Sequence, residues 1–114
     1  MKVTMAGIDH AKAAIDKREI FAFTAAQAEE AMRQVLWKYG AKGCIILSTC
    51  NRTELWIHEG VQHHIDAVDV LCALKQVPRS EYEGFFVVRQ NNEAFLHLCQ
   101  TACGIKSQIL GEDQ

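Results

Sequence analysis

The segment Leu47-Ser48-Thr49-Cys50-Asn51-Arg52 gathers a thiol, hydroxyls, an amide and a guanidinium into one short stretch. A thiol attacks carbon as its thiolate, and a free cysteine titrates near ~8.5, so a working nucleophile needs a neighbour that favours the anion. Arg52 stands two residues from Cys50 and supplies a cation. Backbone N–H groups in the same polar break are candidates to hold a developing oxyanion. Such a set suits acyl transfer through a covalent intermediate, with Cys50 attacking an activated carboxyl group. The commoner fate of a cysteine is to act as a small buried apolar residue. Cys44, Cys72 and Cys99 fit that fate, because each falls on an apolar face. Cys50, between Thr49 and Asn51, does not.

His97 is the second candidate. The apolar stripe of its helix reads Ala94, Phe95, Leu98, Cys99 and Ala102, and His97 lies off that stripe. It is either a solvated surface residue or a residue facing a site, where an imidazole titrating near neutrality can move protons. His97, Cys99 and Cys103 do not have the spacing of a zinc site. His63-His64 lies beside acidic residues and reads as solvent-facing. The run from Gly104 to Glu112 is punctuated by glycine but lacks G-x-G-x-x-G after a strand, so it is no dinucleotide fingerprint.

The elements that must position these residues follow from periodicity. Residues 2–8 alternate loosely and read as a strand, and 9–20 as a polar connection with a short helical stretch. Thr24 and Gln27 have the spacing of a capping box. They open a helix whose apolar face is Ala28, Ala31, Met32, Val35, Leu36 and Tyr39, and Gly40 ends it. Cys44–Leu47 and Leu55–His58 read as hairpin strands with Cys50 in their connection. Residues 61–75 read as a helix with Ile65, Val68, Leu71 and Cys72 inward, and 76–83 as a loop around Pro78. Residues 85–88 make a fourth strand, and a last helix runs from an Asn91-Asn92 cap to Cys103. This order predicts an α+β sandwich of the ferredoxin-like, split βαβ kind. Its sheet is antiparallel, with helices on one face and an extra C-terminal helix.

Composition sets the bounds. A chain of 114 residues fits one domain. Its net charge of −2 gives no basic surplus for gripping nucleic-acid phosphates, so any contact with RNA is local. Five cysteines are an odd number without disulfide-type spacing, which points to free thiols in a reducing, cytoplasmic setting. No run approaches the ~20 apolar residues of a membrane span. The ending Ile109–Gln114 has no terminating element, which suggests a piece of a longer protein.

Three blocks resemble the glutamyl-tRNA reductase family. Gly7-Ile8-Asp9-His10 with Arg18-Glu19 is similar to its N-terminal block, and Leu47–Glu54 to its nucleophile block. His97-Leu98 with Gly104–Gln114 is similar to its third block. The chain departs from the family at Cys99, Cys103 and Lys106, near the third block. The resemblance implies a thioester-forming Cys50 and an activity-linked His97. Thr49, Cys50, Asn51 and Arg52 would line the glutamate pocket, with Arg52 gripping the substrate carboxylate. Ser107, Glu112, Asp113 and Gln114 would contact the glutamyl group or the tRNA end.

The resemblance further implies reduction of glutamyl-tRNA(Glu) to glutamate-1-semialdehyde, the first step of tetrapyrrole synthesis from glutamate. Residues 1–104 would form the catalytic domain, and 105–114 would begin the connection to an NADPH-binding domain. The full-length protein would be a homodimer that hands its aldehyde to a downstream aminomutase. Two rivals stand beside this reading. One is a non-enzymatic ferredoxin-like module for a small ligand, with an unreactive Cys50. The other is a thiol redox or metal-binding domain using Cys99 or Cys103.

Overall fold

Alternation along two strands decides the architecture. In β1 (Val3–Asp9), Thr4, Ala6 and Ile8 point to one side of the sheet, and Val3, Met5 and Gly7 to the other. The computed structural model, which describes residues 2–60, 64–94 and 96–98, buries all of the first set, with Ala6 and Ile8 in the main core, and places Met5 in a second, smaller one.

The elements follow in chain order. After β1 come α1 (Ile15–Ile20), α2 (Ala25–Lys38), β2 (Gly43–Ser48) and β3 (Arg52–His58). Then come α3 (Ala67–Leu74), α4 (Arg79–Tyr82), a 3-10 turn (Glu83–Phe85) and β4 (Val87–Gln90). Residues 91–94 and 96–98 are helical. The sheet order is β2-β3-β1-β4 with every pair antiparallel, as expected of the ferredoxin-like order.

One face of the sheet is covered by helices. Ala31 and Val35 of α2 and Val68 and Leu71 of α3 pack with Ala6, Ile8, Ile46, Leu55 and Ile57 of the sheet. Phe21 is fully buried at one end, with its ring edge-on to Phe86 at 4.9 Å. The opposite face carries Met5 and Trp56, and Ala94 of the terminal helical turns packs onto them. The site lies on this second face.

Local signals explain most boundaries. Thr24 Oγ1 accepts the Gln27 N–H at 3.1 Å, and Gln27 Oε1 accepts the Thr24 N–H at 2.9 Å, which is the predicted capping box. Gly40 follows α2 with φ of 71°, a left-handed value that glycine adopts without steric cost.

Several predicted boundaries move, and the strand expected to start at Leu55 already begins at Arg52. The helix expected over 61–75 begins at Ala67, because Asp66 Oδ1 accepts the N–H groups of Val68 and Asp69 and caps it there; residues 61–63 lie outside the described set. The loop at 76–83 contains the single turn of α4. The fourth strand starts at Val87, because Phe85 ends the 3-10 turn and Phe86 is drawn into the core beside Phe21.

Candidate active site

The β2–β3 hairpin turns on two residues. Ser48 pairs with Thr53 in the ladder, and the Thr49 N–H donates to the Arg52 carbonyl at 2.8 Å, which leaves Cys50 and Asn51 at the tip. Favoured two-residue hairpin turns use left-handed backbone. Neither Cys50 nor Asn51 has a positive φ. The tip is held instead by Thr49 Oγ1, which accepts the N–H groups of Asn51 at 3.2 Å and Arg52 at 3.3 Å. Those two N–H groups therefore face the threonine hydroxyl, not an incoming oxyanion.

Cys50 is exposed at this tip. The other two described cysteines differ. Cys44 is half-buried with its Sγ 3.5 Å from the Met32 carbonyl, and Cys72 is buried against α3's partners in the core. Burial pushes both thiols up from the ordinary range, away from the reactive thiolate.

Not every residue of the motif faces solvent. Ser48 Oγ accepts the Phe23 N–H at 3.0 Å and sits 3.1 Å from Thr53 Oγ1. Both hydroxyls lie on the helix-covered side and tether the α1–α2 link to the hairpin. They are structural parts of the block that carries Cys50.

The other face of β3 shows Arg52, Glu54, Trp56 and His58 in alternation. Glu54 is only 3% exposed. Its Oε1 accepts the Trp56 Nε1–H at 3.1 Å. Its Oε2 lies 2.7 Å from His97 Nε2 and 3.5 Å from Arg52 Nη1. The His97 ring stacks on Trp56 with centroids 5.9 Å apart and planes 15° from parallel. A buried carboxylate is tolerated where it is paired and hydrogen-bonded, and here it is both.

His97 thus faces the sheet. The helical turns present Ala94 and His97 inward, one turn apart, while Leu98, expected on the inner stripe, is 43% exposed. The i, i+3 pair wins because Ala94 fits against Trp56 and Met5, and this lays the imidazole over Glu54. Beside the cluster runs an apolar groove of about 540 Å³, lined by Ile45, Leu47, Trp56 and Leu98 and reaching Glu54.

The structure therefore joins Arg52 and His97 through Glu54 and sets Cys50 and Asn51 at the tip adjoining Arg52. Ser107, Glu112, Asp113 and Gln114, with Cys99 and Cys103, lie outside the described residues. Sequence reasoning assigned no role to Glu54 or Trp56. The signal was present: Arg52, Glu54 and Trp56 alternate through a buried strand, which puts two charges and an indole on one side.

Residues 6–114 match the family described as glutamyl-tRNAGlu reductase, N-terminal domain.

The chain belongs to this family.

The glutamyl-tRNA reductase of Alkaliphilus oremlandii is 42% identical over 114 residues, covering all of this chain and 34% of that protein. That of Acetivibrio thermocellus is also 42% identical, over 116 residues, again with 100% and 34% coverage. The solved glutamyl-tRNA reductase from Methanopyrus kandleri superposes with a TM-score of 0.67 at 26% identity, over 96% of this chain and 24% of that one. The chain thus spans about a third of the length of these curated relatives. The N-terminal domain of a glutamyl-tRNA reductase is the part of the family that it represents. Among the described residues, no helix is long and apolar enough to cross a membrane.

Proposed function

We propose that this chain is the acyl-transfer module of a glutamyl-tRNA reductase, an oxidoreductase of tetrapyrrole (porphyrin) synthesis in the cytoplasm. The observation that carries the reading is an exposed cysteine at a hairpin tip, two residues along the chain from an arginine that a buried carboxylate joins to a histidine. Cys50 thiolate attacks the carbonyl carbon of the ester between glutamate and tRNA(Glu). A carbon–sulfur bond forms, the carbon–oxygen bond to the tRNA breaks, and the leaving oxygen takes a proton from His97 or water. Arg52 holds a substrate carboxylate, and Thr49 and Asn51 wall the same pocket. Ser107 and Glu112 to Gln114 complete the pocket toward the glutamyl group or the tRNA end.

The whole reaction would be NADPH-dependent reduction of glutamyl-tRNA(Glu) to glutamate-1-semialdehyde. The described residues do not fit NADPH. Gly7 faces Glu54, Gly43 faces His58 and Gly60 faces Lys42, and none forms a glycine-rich turn from a strand into a helix. The chemistry of this chain ends at the thioester, and the hydride donor belongs to another domain. We divide the chain accordingly, with residues 1–104 catalytic and 105–114 leading toward that domain. By the same family reading the full-length protein is a homodimer that passes its aldehyde to an aminomutase.

The test is direct. Incubation with glutamyl-tRNA carrying labelled glutamate labels the protein, and Cys50→Ser removes the label. Label retained by the mutant would refute the assignment. With no dinucleotide-type glycine turn among the described residues, reduction of glutamyl-tRNA is expected only when an NADPH-binding domain is present.

A further inference from the structure

We infer that Glu54 is the positioning residue of this site, fixing which ring nitrogen of His97 carries the proton and tying that ring to Arg52. The inference deepens the proposed acyl-transfer reading and rests on it for its kinetic consequence, though not for its structural one.

An ionised carboxylate only accepts hydrogen bonds. Glu54 is surrounded by donors: Trp56 Nε1–H on Oε1 at 3.1 Å, and His97 Nε2 at 2.7 Å and Arg52 Nη1 at 3.5 Å on Oε2. Indole and guanidinium groups can only donate. His97 Nε2 therefore carries a hydrogen toward Oε2, and in the neutral ring Nδ1 is the nitrogen without one. Which tautomer a histidine adopts is set by the bond its other nitrogen makes. Stacking on Trp56 fixes the plane of the ring, and the carboxylate fixes its rotation within that plane. The same oxygen anchors Arg52, so the ring and the guanidinium are held at one point.

The arrangement has a supporting frame. Gly7 lies opposite Glu54 in the β1–β3 register, and Leu47 lies opposite it in β2–β3. The carboxylate therefore projects from a central strand, where its backbone has little freedom. Glutamine cannot replace it. One oxygen of the amide would meet either the indole or the His97–Arg52 pair, and the NH2 would confront the other donors.

The experiment uses 15N-labelled imidazole resonances in the wild-type protein and in Glu54→Gln, with single-turnover labelling of Cys50 by glutamyl-tRNA. The wild type is expected to show His97 as the Nε2–H tautomer. Glu54→Gln is expected to lose that preference and to slow Cys50 acylation about a hundredfold at saturating substrate, the low end of what a positioned proton donor contributes. Glu54→Asp, which keeps an anion, recovers part of the rate. An Nδ1–H tautomer in the wild type overturns the inference without any variant, so a failure of Glu54→Gln to fold does not shield it. An unchanged tautomer and rate in folded Glu54→Gln also overturn it. A wild type that shows the expected tautomer but never acylates Cys50 supports the role of Glu54 in fixing the ring and refutes the acyl-transfer reading alone.

Discussion

Gly7 stands directly across the β1–β3 ladder from Glu54, and a methyl group at position 7 would lie 3.2 Å from Glu54 Cγ. That distance is too tight for a side chain held by three donors to ignore. Gly7→Ala is expected to displace the carboxylate from Trp56 and His97 while keeping the fold. Overpacking of this size costs about 1–3 kcal/mol. Urea denaturation would measure that loss, and the rate of Cys50 acylation would fall in parallel with the disturbance of His97. A variant as stable and as active as the wild type would mean that the Glu54 side chain has room to move.

Ser48 belongs to the part of the Leu47–Glu54 block that packs against the helices. Its Oγ accepts the Phe23 N–H and meets Thr53 Oγ1 on the helix-covered face. Ser48→Ala should cost about 1 kcal/mol for the lost hydrogen bond, with a further penalty if the Phe23 N–H stays dry. The acylation rate of Cys50 in folded protein should change little. Thermal unfolding and single-turnover labelling, run on the same preparation, give the two numbers. A large rate loss at unchanged stability would place Ser48 in the chemistry.

Asp66 makes stability depend on pH. Burial pushes its carboxyl up, but the hydrogen bonds from Arg79 and from the N–H groups of Asp69 and Val68, with the Arg79 charge, outweigh this and hold it below its ordinary 3.8. A group whose folded pKa is lowered stabilises the fold above its unfolded pKa and loses that contribution as pH falls through the folded value. Asp66→Asn keeps a good N-cap but removes the charge. The stability gap between wild type and Asp66→Asn is therefore expected to be full at neutral pH and to close below 3.8. Chemical denaturation across that range checks it, and a constant gap would assign the effect to the cap alone.

How much was legible in the sequence depended on how local the cause was. The capping box of Thr24 and Gln27 and most of the apolar face of α2 are written within a few residues and stand in the structure, but Leu36, expected on that face, is 41% exposed. The strand order followed from element order, because hairpin and crossover rules leave few alternatives. The early helix start at 61 failed because an apolar pattern continues upstream of the cap: Ile65 is buried without being helical. The stripe through Leu98 failed because which face of a short helix turns inward is decided by what it meets. Here it meets Trp56 and Glu54, and the Glu54–His97 contact joins residues 43 apart in sequence. No periodicity could show it. The exposed place of Cys50 at the hairpin tip was legible because a polar break between two apolar strands is a local signal.

Cys50 also yields the cheapest check. Alkylation rate follows thiolate fraction and access. Cys50 is exposed, whereas burial raises the thiols of Cys44 and Cys72. Under brief treatment of the folded protein with iodoacetamide, Cys50 is expected to be modified well before Cys44 and Cys72, as read by peptide mass spectrometry. In denaturant the three rates should converge, because desolvation is lost with the fold. A slow Cys50 in the native protein would remove the premise of thioester chemistry, since a sulfur that iodoacetamide cannot reach will not reach an aminoacyl ester. A fast Cys50 that keeps its rate in Glu54→Gln would locate the effect of that carboxylate after thiol activation, at departure of the tRNA oxygen.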